Sequence, residues 1–337
     1  MEVWIQFIVS VVFVVFSGIK IAQYANVIAE KSKLGTLFVG SILLAGGTSL
    51  PEVVTGISSG FLGYTDIAVG NVLGSNIFNI VIIAVLDLLD GKRSILRKVS
   101  LGHILSANFG MLLSVLVSIA IFVQLPYTIG WIGVDTIFLG AVSFFGFKLL
   151  GRYEARDPLE QPVILNGGYI PQSDFSDTPD MSLRHATIGF ALSALVIAIA
   201  GTFLSITGEQ IAVMTGLGST FIGSSLIAIV TSLPEVVAGL TAVRYGAFDL
   251  AIGNLLGSNI FNMTILVMSD IAYLQGPILA AVSPTHILTG LAGMALSTIM
   301  AIGLFYRSKR SYLQLGPDSL FIFFGYILSA YLIYIFR

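Results

Sequence analysis

The stretch Gly47-Thr48-Ser49-Leu50-Pro51-Glu52-Val53-Val54 returns almost unchanged as Val230-Thr231-Ser232-Leu233-Pro234-Glu235-Val236-Val237. A second stretch, Gly70-Asn71-Val72-Leu73-Gly74-Ser75-Asn76-Ile77-Phe78-Asn79, returns at the same offset of 183 residues as Gly253-Asn254-Leu255-Leu256-Gly257-Ser258-Asn259-Ile260-Phe261-Asn262. Aligned without gaps, 26 of the 46 positions in 35–80 match those in 218–263. The offset also pairs Gly18 with Gly201, Asp87 with Asp270, His103 with His286 and Asp135 with Asp318. The duplicated unit therefore extends over nearly half the chain.

The surroundings of the repeats are apolar. Of 337 residues, 56% are apolar and only 10% charged, with a mean hydropathy of +0.96. A soluble domain carries about 25% charged residues, so this chain cannot cover a water-facing surface. A spanning helix takes about 20 apolar residues. Apolar runs between polar breaks predict ten spans, near 3–24, 35–60, 66–88, 101–123, 126–150, 185–207, 219–243, 250–273, 285–306 and 316–336. The fold class expected is an all-α polytopic membrane protein of ten transmembrane helices, built as two inverted five-helix repeats, residues 1–150 and 185–337. Met1-Glu2 offers no basic region before the first run, which reads as a span and not a cleaved leader. The formal net charge of -2 gives no support to nucleic-acid binding, and with no cysteine there is no disulfide or thiolate metal site.

Lys and Arg mark the cytoplasmic side of membrane proteins. Lys31 and Lys33 follow the first span, and Lys92, Arg93, Arg97 and Lys98 the third. Arg152, Arg156 and Arg184 lie between the fifth and sixth, Arg244 follows the seventh, and Arg307, Lys309 and Arg310 the ninth. Only Arg337 departs from this alternation. Both termini are thus expected outside, in a cell-membrane protein whose 151–184 loop is cytoplasmic. Five spans per half is an odd number, so the second copy starts from the opposite face. Homologous halves of inverted topology are a sequence sign of alternating-access transport. The 151–184 loop carries Asp174, Asp177 and Asp180 but lacks the ligand alternation, Gly and terminal Glu of a calcium-binding EF-hand loop. It reads as a solvated linker.

Glu52 and Glu235 fall near the middle of spans 2 and 7, where a carboxylate is costly unless paired, protonated or hydrated. No Lys or Arg falls at that depth, so two symmetry-related acids are left seeking a cation. Pro51 and Pro234 lack an N–H and free carbonyls one turn back, which membrane proteins tolerate where the backbone lines a cavity. With the hydroxyls of Thr48, Ser49, Thr231 and Ser232, the set is all oxygen, suited to hard cations such as Ca²⁺ and Na⁺. Asn71, Ser75 and Asn79 share one helix face, as do Asn254, Ser258 and Asn262. Ser75, Asn79, Ser258 and Asn262 sit near mid-span and read as cation ligands, while Gly70-x-x-x-Gly74 and Gly253-x-x-x-Gly257 read as packing surfaces. Asp87, Asp270, His103 and His286, at span ends, are expected to be solvated at the interface or to cap helices. Asp66 and Asp249 read as caps favoured by the helix dipole, and Asp135 and Asp318 as helix-end residues.

Taken together, G-T-S-L-P-E and G-N-x-x-G-S-N-x-x-N, each present twice in inverted halves, resemble the alpha-repeats of the sodium/calcium exchanger branch of the cation/calcium antiporters. The resemblance implies that Glu52 and Glu235 bridge Ca²⁺ and that Thr48 and Thr231 contribute backbone carbonyls to it. It implies Na⁺ sites made from the Ala45 and Ala228 carbonyls with Ser49, Ser75, Ser232 and Ser258, with Asn79 and Asn262 lining the centre. It also implies that spans 1 and 6 rock over the central bundle. Some prokaryotic relatives carry Asp where this chain has Asn262, so only two carboxylates remain here.

The function expected is exchange of Na⁺ for Ca²⁺. The same acids could instead carry protons in a Ca²⁺/H⁺ antiporter, or the fold could serve as a passive cation channel. No nucleophile–base set or histidine cluster suggests an enzyme. No resident cofactor is expected; the partners are the transported Ca²⁺ and Na⁺ and the lipid bilayer, with no obligate protein partner.

Overall fold

The computed structural model describes residues 2–31, 47–90, 95–156, 181–244, 246, 248–307 and 316–336. Seven described helices are long and apolar enough to cross a membrane: α1 (Glu2–Lys31), α3 (Thr65–Asp90), α4 (His103–Val123), α6 (Leu183–Thr215), α9 (Phe248–Ala272), α10 (His286–Tyr306) and α11 (Pro317–Ile335). Two shorter segments, α7 (Ser219–Thr231) and α8 (Leu233–Arg244), are together long and apolar enough to cross, and meet at a bend of 43°. Helices α2 (Leu50–Leu62) and α5 (Val134–Arg156) lie in the remaining two expected spans. The first part of the 35–60 span and most of the 151–184 linker fall outside the described residues.

Two boundaries differ from expectation. The fifth helix starts at Val134, not 126, because residues before it form a small antiparallel ladder, Thr128–Ile129 against Ile132–Gly133. Pro126 cannot donate to a helix, and Gly130, at φ +70°, turns the chain back on itself. This ladder is the one departure from an all-helical fold among the described residues. The sixth helix runs to Thr215, beyond the expected 207. Glu209 and Gln210 are good helix formers, so they end the apolar run without ending the helix.

Polarity is arranged inside out relative to a soluble protein. Phe13, Phe122, Phe305 and Phe324 are exposed on the outer surface, while Glu52, Asn71, Asn79, Glu235 and Asn262 are buried. So extensive an outward apolar surface, on helices long enough to cross a bilayer, matches contact with lipid. Helices α3 and α9 are central, packing on each other and both on α2. Of the most apolar stretch of each, 78% and 61% is buried, against 28% in α1 and 22% in α6. Helices α1 and α6 pair mainly with each other on the periphery.

Small residues permit the closest approaches. A Cβ placed on Gly74 would fall 2.6 Å from the Ser224 Cα, so α3 presses its backbone against the π-helical turn Ile222–Ile227 of α7. A Cβ on Gly18 would meet the Pro234 ring at 2.5 Å, and one on Gly201 the Val54 side chain at 2.8 Å. The peripheral pair therefore touches the two broken segments through glycines separated by the repeat offset.

Candidate functional site

The site begins at the two helix breaks. Ser49 and Ser232 leave helical geometry in the same way, at φ -87°, ψ 10° and φ -87°, ψ 5°. Pro51 and Pro234 follow within the first turns of α2 and α8. Proline costs nothing at such a position, because the N–H it lacks has no intrahelical partner there. Glu52 and Glu235 are thereby set in the first turns of two helices, where the dipole favours negative charge. Each is 1% exposed.

The two halves exchange partners. Ser232 Oγ donates to Glu52 Oε1 at 3.0 Å, and Ser49 Oγ donates to Glu235 Oε1 at 3.0 Å. Ser49 Oγ also lies 3.4 Å from Ser258 Oγ, and Ser75 Oγ donates to the Ala228 carbonyl at 3.4 Å. Thr231 Oγ1 donates to Asn71 Oδ1 at 3.0 Å, and Asn71 Nδ2 to the Glu52 carbonyl at 3.5 Å. Thr48 is fully buried beside Ser49. Of the residues singled out in the sequence, Glu52, Ser232, Asn71, Thr231, Ala228 and Ser75 are joined in one hydrogen-bonded group, and Glu235, Ser49 and Ser258 in a second. Ala45 lies outside the described residues.

Asn79 and Asn262 occupy the crossing of α3 and α9. Asn79 Nδ2 donates to Asn259 Oδ1 and Asn262 Nδ2 to Asn76 Oδ1, both at 2.9 Å. Among the buried oxygens without a hydrogen-bond partner are four that belong to these residues: Glu52 Oε2, Glu235 Oε2, Asn79 Oδ1 and Asn262 Oδ1. They form two pairs related by the repeat, and all are acceptors. An unsatisfied buried polar atom costs about 1–3 kcal/mol. Among the described residues neither glutamate pairs with Lys or Arg, and no cluster of three or more His, Cys, Asp or Glu forms. A set of oxygen atoms without basic partners suits a hard cation.

Asn76 and Asn259 lie outside the every-fourth series 71, 75, 79 and its repeat, and the sequence reading assigns them no role. The signal was present: both lie inside the repeated motif, and each precedes its mid-span Asn by three positions, on a shared helix face.

Of the two roles expected at the span ends, solvation at the interface does not hold for the aspartates, while capping does, directed at other helices than their own. Asp87 and Asp270 are 1% and 0% exposed. Asp87 accepts from Ile95 N at 2.5 Å, Gly316 N at 3.0 Å and Ser319 Oγ at 2.6 Å. Asp270 accepts from Ile278 N at 2.7 Å, Gly133 N at 2.8 Å and Thr136 Oγ1. Each carboxylate collects amide donors that helix ends and turns leave unmatched. His103 Nε2 lies 3.0 Å from Asp249 Oδ1, and the fully buried His286 presents Nε2 3.1 Å from Asp66 Oδ1. Asp249 and Asp66 also accept from Ser100 N and Ser283 N, both at 2.7 Å. These acids tie loops of one repeat to helices of the other instead of capping their own helices.

Helical spans enclosing mirror-related acids define a membrane-embedded ion transporter. The chain belongs to the sodium/calcium exchanger protein family, a family of cation/Ca²⁺ antiporters, which it matches over residues 2–147 and 185–336. The sodium/calcium exchanger MaX1 of Methanosarcina acetivorans is 28% identical over 291 residues, covering 79% of this chain and 82% of the relative. The inner membrane protein YrbG of Escherichia coli is 26% identical over 265 residues, covering 77% and 76%. Among solved structures, an H⁺/Ca²⁺ exchanger, CAX, superposes with a TM-score of 0.69 at 16% identity, covering 99% of this chain and 86% of that one. The sodium-calcium exchanger NCX_Mj superposes with a TM-score of 0.54 at 16% identity, covering 96% of each. At these identities the two structures speak to the fold.

Proposed function

We propose that the protein is a secondary antiporter that exchanges Na⁺ for Ca²⁺ by alternating access, with Glu52 and Glu235 at the central cation site. The observation that carries this reading is the set of four unpartnered buried oxygens, two carboxylate and two amide. In this reading Thr48 and Thr231 add backbone carbonyls to Ca²⁺. The Ala45 and Ala228 carbonyls with Ser49, Ser75, Ser232 and Ser258 serve Na⁺.

Charge supplies the coupling. Two ionised carboxylates give the cavity a charge of -2, which one Ca²⁺ or two Na⁺ neutralise. A third Na⁺ leaves a net positive charge and makes the exchange electrogenic. A doubly charged cavity without cations would have to reorient with its charge uncompensated at low dielectric, where electrostatic energies are largest. Exchange is thereby favoured over leak. The alternation of Lys and Arg supports a cell-membrane protein with both termini outside and the 151–184 loop in the cytoplasm.

Proteoliposomes loaded with Na⁺ test the reading. Calcium uptake that requires an outward Na⁺ gradient supports it, and uptake that follows the calcium gradient with no counter-ion overturns it in favour of a channel. A second reading, Ca²⁺/H⁺ exchange, rests on the same unpartnered carboxyl oxygens, each able to take a proton. Uptake driven by a pH gradient alone supports that alternative.

A further inference from the structure

The amides of Asn76 and Asn259 face each other across the contact between α3 and α9. Asn76 Nδ2 donates to the Asn259 backbone carbonyl at 3.2 Å, and Asn259 Nδ2 donates to the Asn76 carbonyl at 3.2 Å. A carboxamide has one donating and one accepting end, and heavy-atom positions alone do not tell them apart. Here the partners do. A backbone carbonyl only accepts, so the nitrogen of each of these two amides is committed to it, and each Oδ1 is turned the other way. Those oxygens accept from Asn262 Nδ2 and Asn79 Nδ2, both at 2.9 Å. The nitrogens of Asn79 and Asn262 are thereby spent, and their oxygens are the ones left buried without a partner. The chain of constraint runs from backbone to outer amide to inner amide, once in each direction.

We propose that Asn76 and Asn259 are positioning residues, which never touch the cation but hold Asn79 and Asn262 with their carbonyl oxygens, and not their NH₂ groups, presented to it. This inference rests on the cation-site reading above. Without the acceptor on Asn259, the Asn79 amide turns freely and presents N–H donors to the cation for part of the time. Loss of such outer-shell partners weakens metal affinity by about 10- to 100-fold. An aspartate at position 79 has two oxygens and no wrong orientation, so it does not need the clamp. With the clamp intact, that aspartate faces Asn259 Oδ1, acceptor against acceptor.

The test is radioactive Ca²⁺ binding to the purified full chain in detergent, with melting temperature as the check on folding. Asn259→Ala is expected to weaken Ca²⁺ binding about 10-fold or more, and adding Asn79→Asp to that variant is expected to restore it. In the parent background Asn79→Asp is expected to give no such gain. Non-additivity of this sign is the readout that a packing role would not produce. Asn76→Ala, which removes the acceptor of the Asn262 amide, is expected to weaken Ca²⁺ binding in the same way and to be rescued by Asn262→Asp. It decides the matter if the Asn259 variant does not fold. Glu52→Gln runs in parallel. If it binds Ca²⁺ like the parent, the cation-site reading fails and the positioning role with it. If Glu52→Gln loses binding while Asn259→Ala keeps it, or Asn79→Asp fails to rescue, the positioning role alone is overturned.

Discussion

Ser49 and Glu235 are 186 residues apart in the chain, yet the Ser49 hydroxyl donates to the Glu235 carboxylate at 3.0 Å. Ser232 and Glu52 repeat the arrangement at the same distance. Each acid is held by the hydroxyl at the helix break of the opposite repeat, so neither repeat completes the site alone.

Replacing either acid separates function from stability. Glu52→Gln and Glu235→Gln each remove a charge that has no basic partner, and burial of such a charge is costly. Each variant is expected to abolish Ca²⁺ exchange in proteoliposomes while its melting temperature holds or rises. Near-normal transport in either would refute the site.

Calcium should stabilise the parent protein through the same atoms. A ligand at 100 times its dissociation constant stabilises the folded state by about 2.7 kcal/mol. Thermal denaturation is expected to show a melting temperature that rises with Ca²⁺ and falls on chelation. The Glu52→Gln, Glu235→Gln double variant should show neither response.

Asp270 serves the frame and not the ion. Its carboxylate accepts from Gly133 N, Ile278 N and Thr136 Oγ1, and hydrogen bonds to charged groups contribute about 1.5–3 kcal/mol each. Asp270→Ala is expected to destabilise by about 3 kcal/mol or more, measured by unfolding in detergent, with Ca²⁺ affinity of the folded fraction within about threefold of the parent. A loss of affinity with stability intact would contradict this role.

Two glycines give opposite expectations. Gly74→Ala places a Cβ 2.6 Å from the Ser224 Cα, whereas a Cβ on Gly110 meets nothing within 4 Å. Gly74→Ala is expected to lower the melting temperature and the transport rate by forcing α3 away from α7. Gly110→Ala, in a helix interior, should stabilise by about 0.5–1 kcal/mol. Equal behaviour of the two would remove the case for close packing at Gly74.

The chain has no cysteine, so an introduced one reports orientation without background. Arg97→Cys is expected to react with an impermeant thiol reagent only from the cytoplasmic face, and Thr128→Cys only from outside. Reversal of both would invert the orientation drawn from the Lys and Arg distribution.

How much was legible in the sequence depended on the range of the interaction. The duplication is written in residue identities, and the membrane class in hydropathy, because lipid demands outward apolar side chains from every span. The acids at 52 and 235 stood out because no basic residue shares their depth. The ladder at 128–133, by contrast, hid inside an apolar run, where Gly130 and Pro126 were the only marks of a turn. Asp87 and Asp270 were read from their place at span ends, which says nothing of the amides that loops of the other repeat bring to them.

What the sequence determined by itself was the periodic and the local: spans, repeat, breaks at the prolines, and oxygen-bearing side chains at matching positions in both halves. What only the tertiary structure decided was the pairing across halves: which serine holds which acid, and which end of each asparagine remains free. Hydrogen-bond direction depends on partners distant in the chain, and only folding brings them within three ångströms.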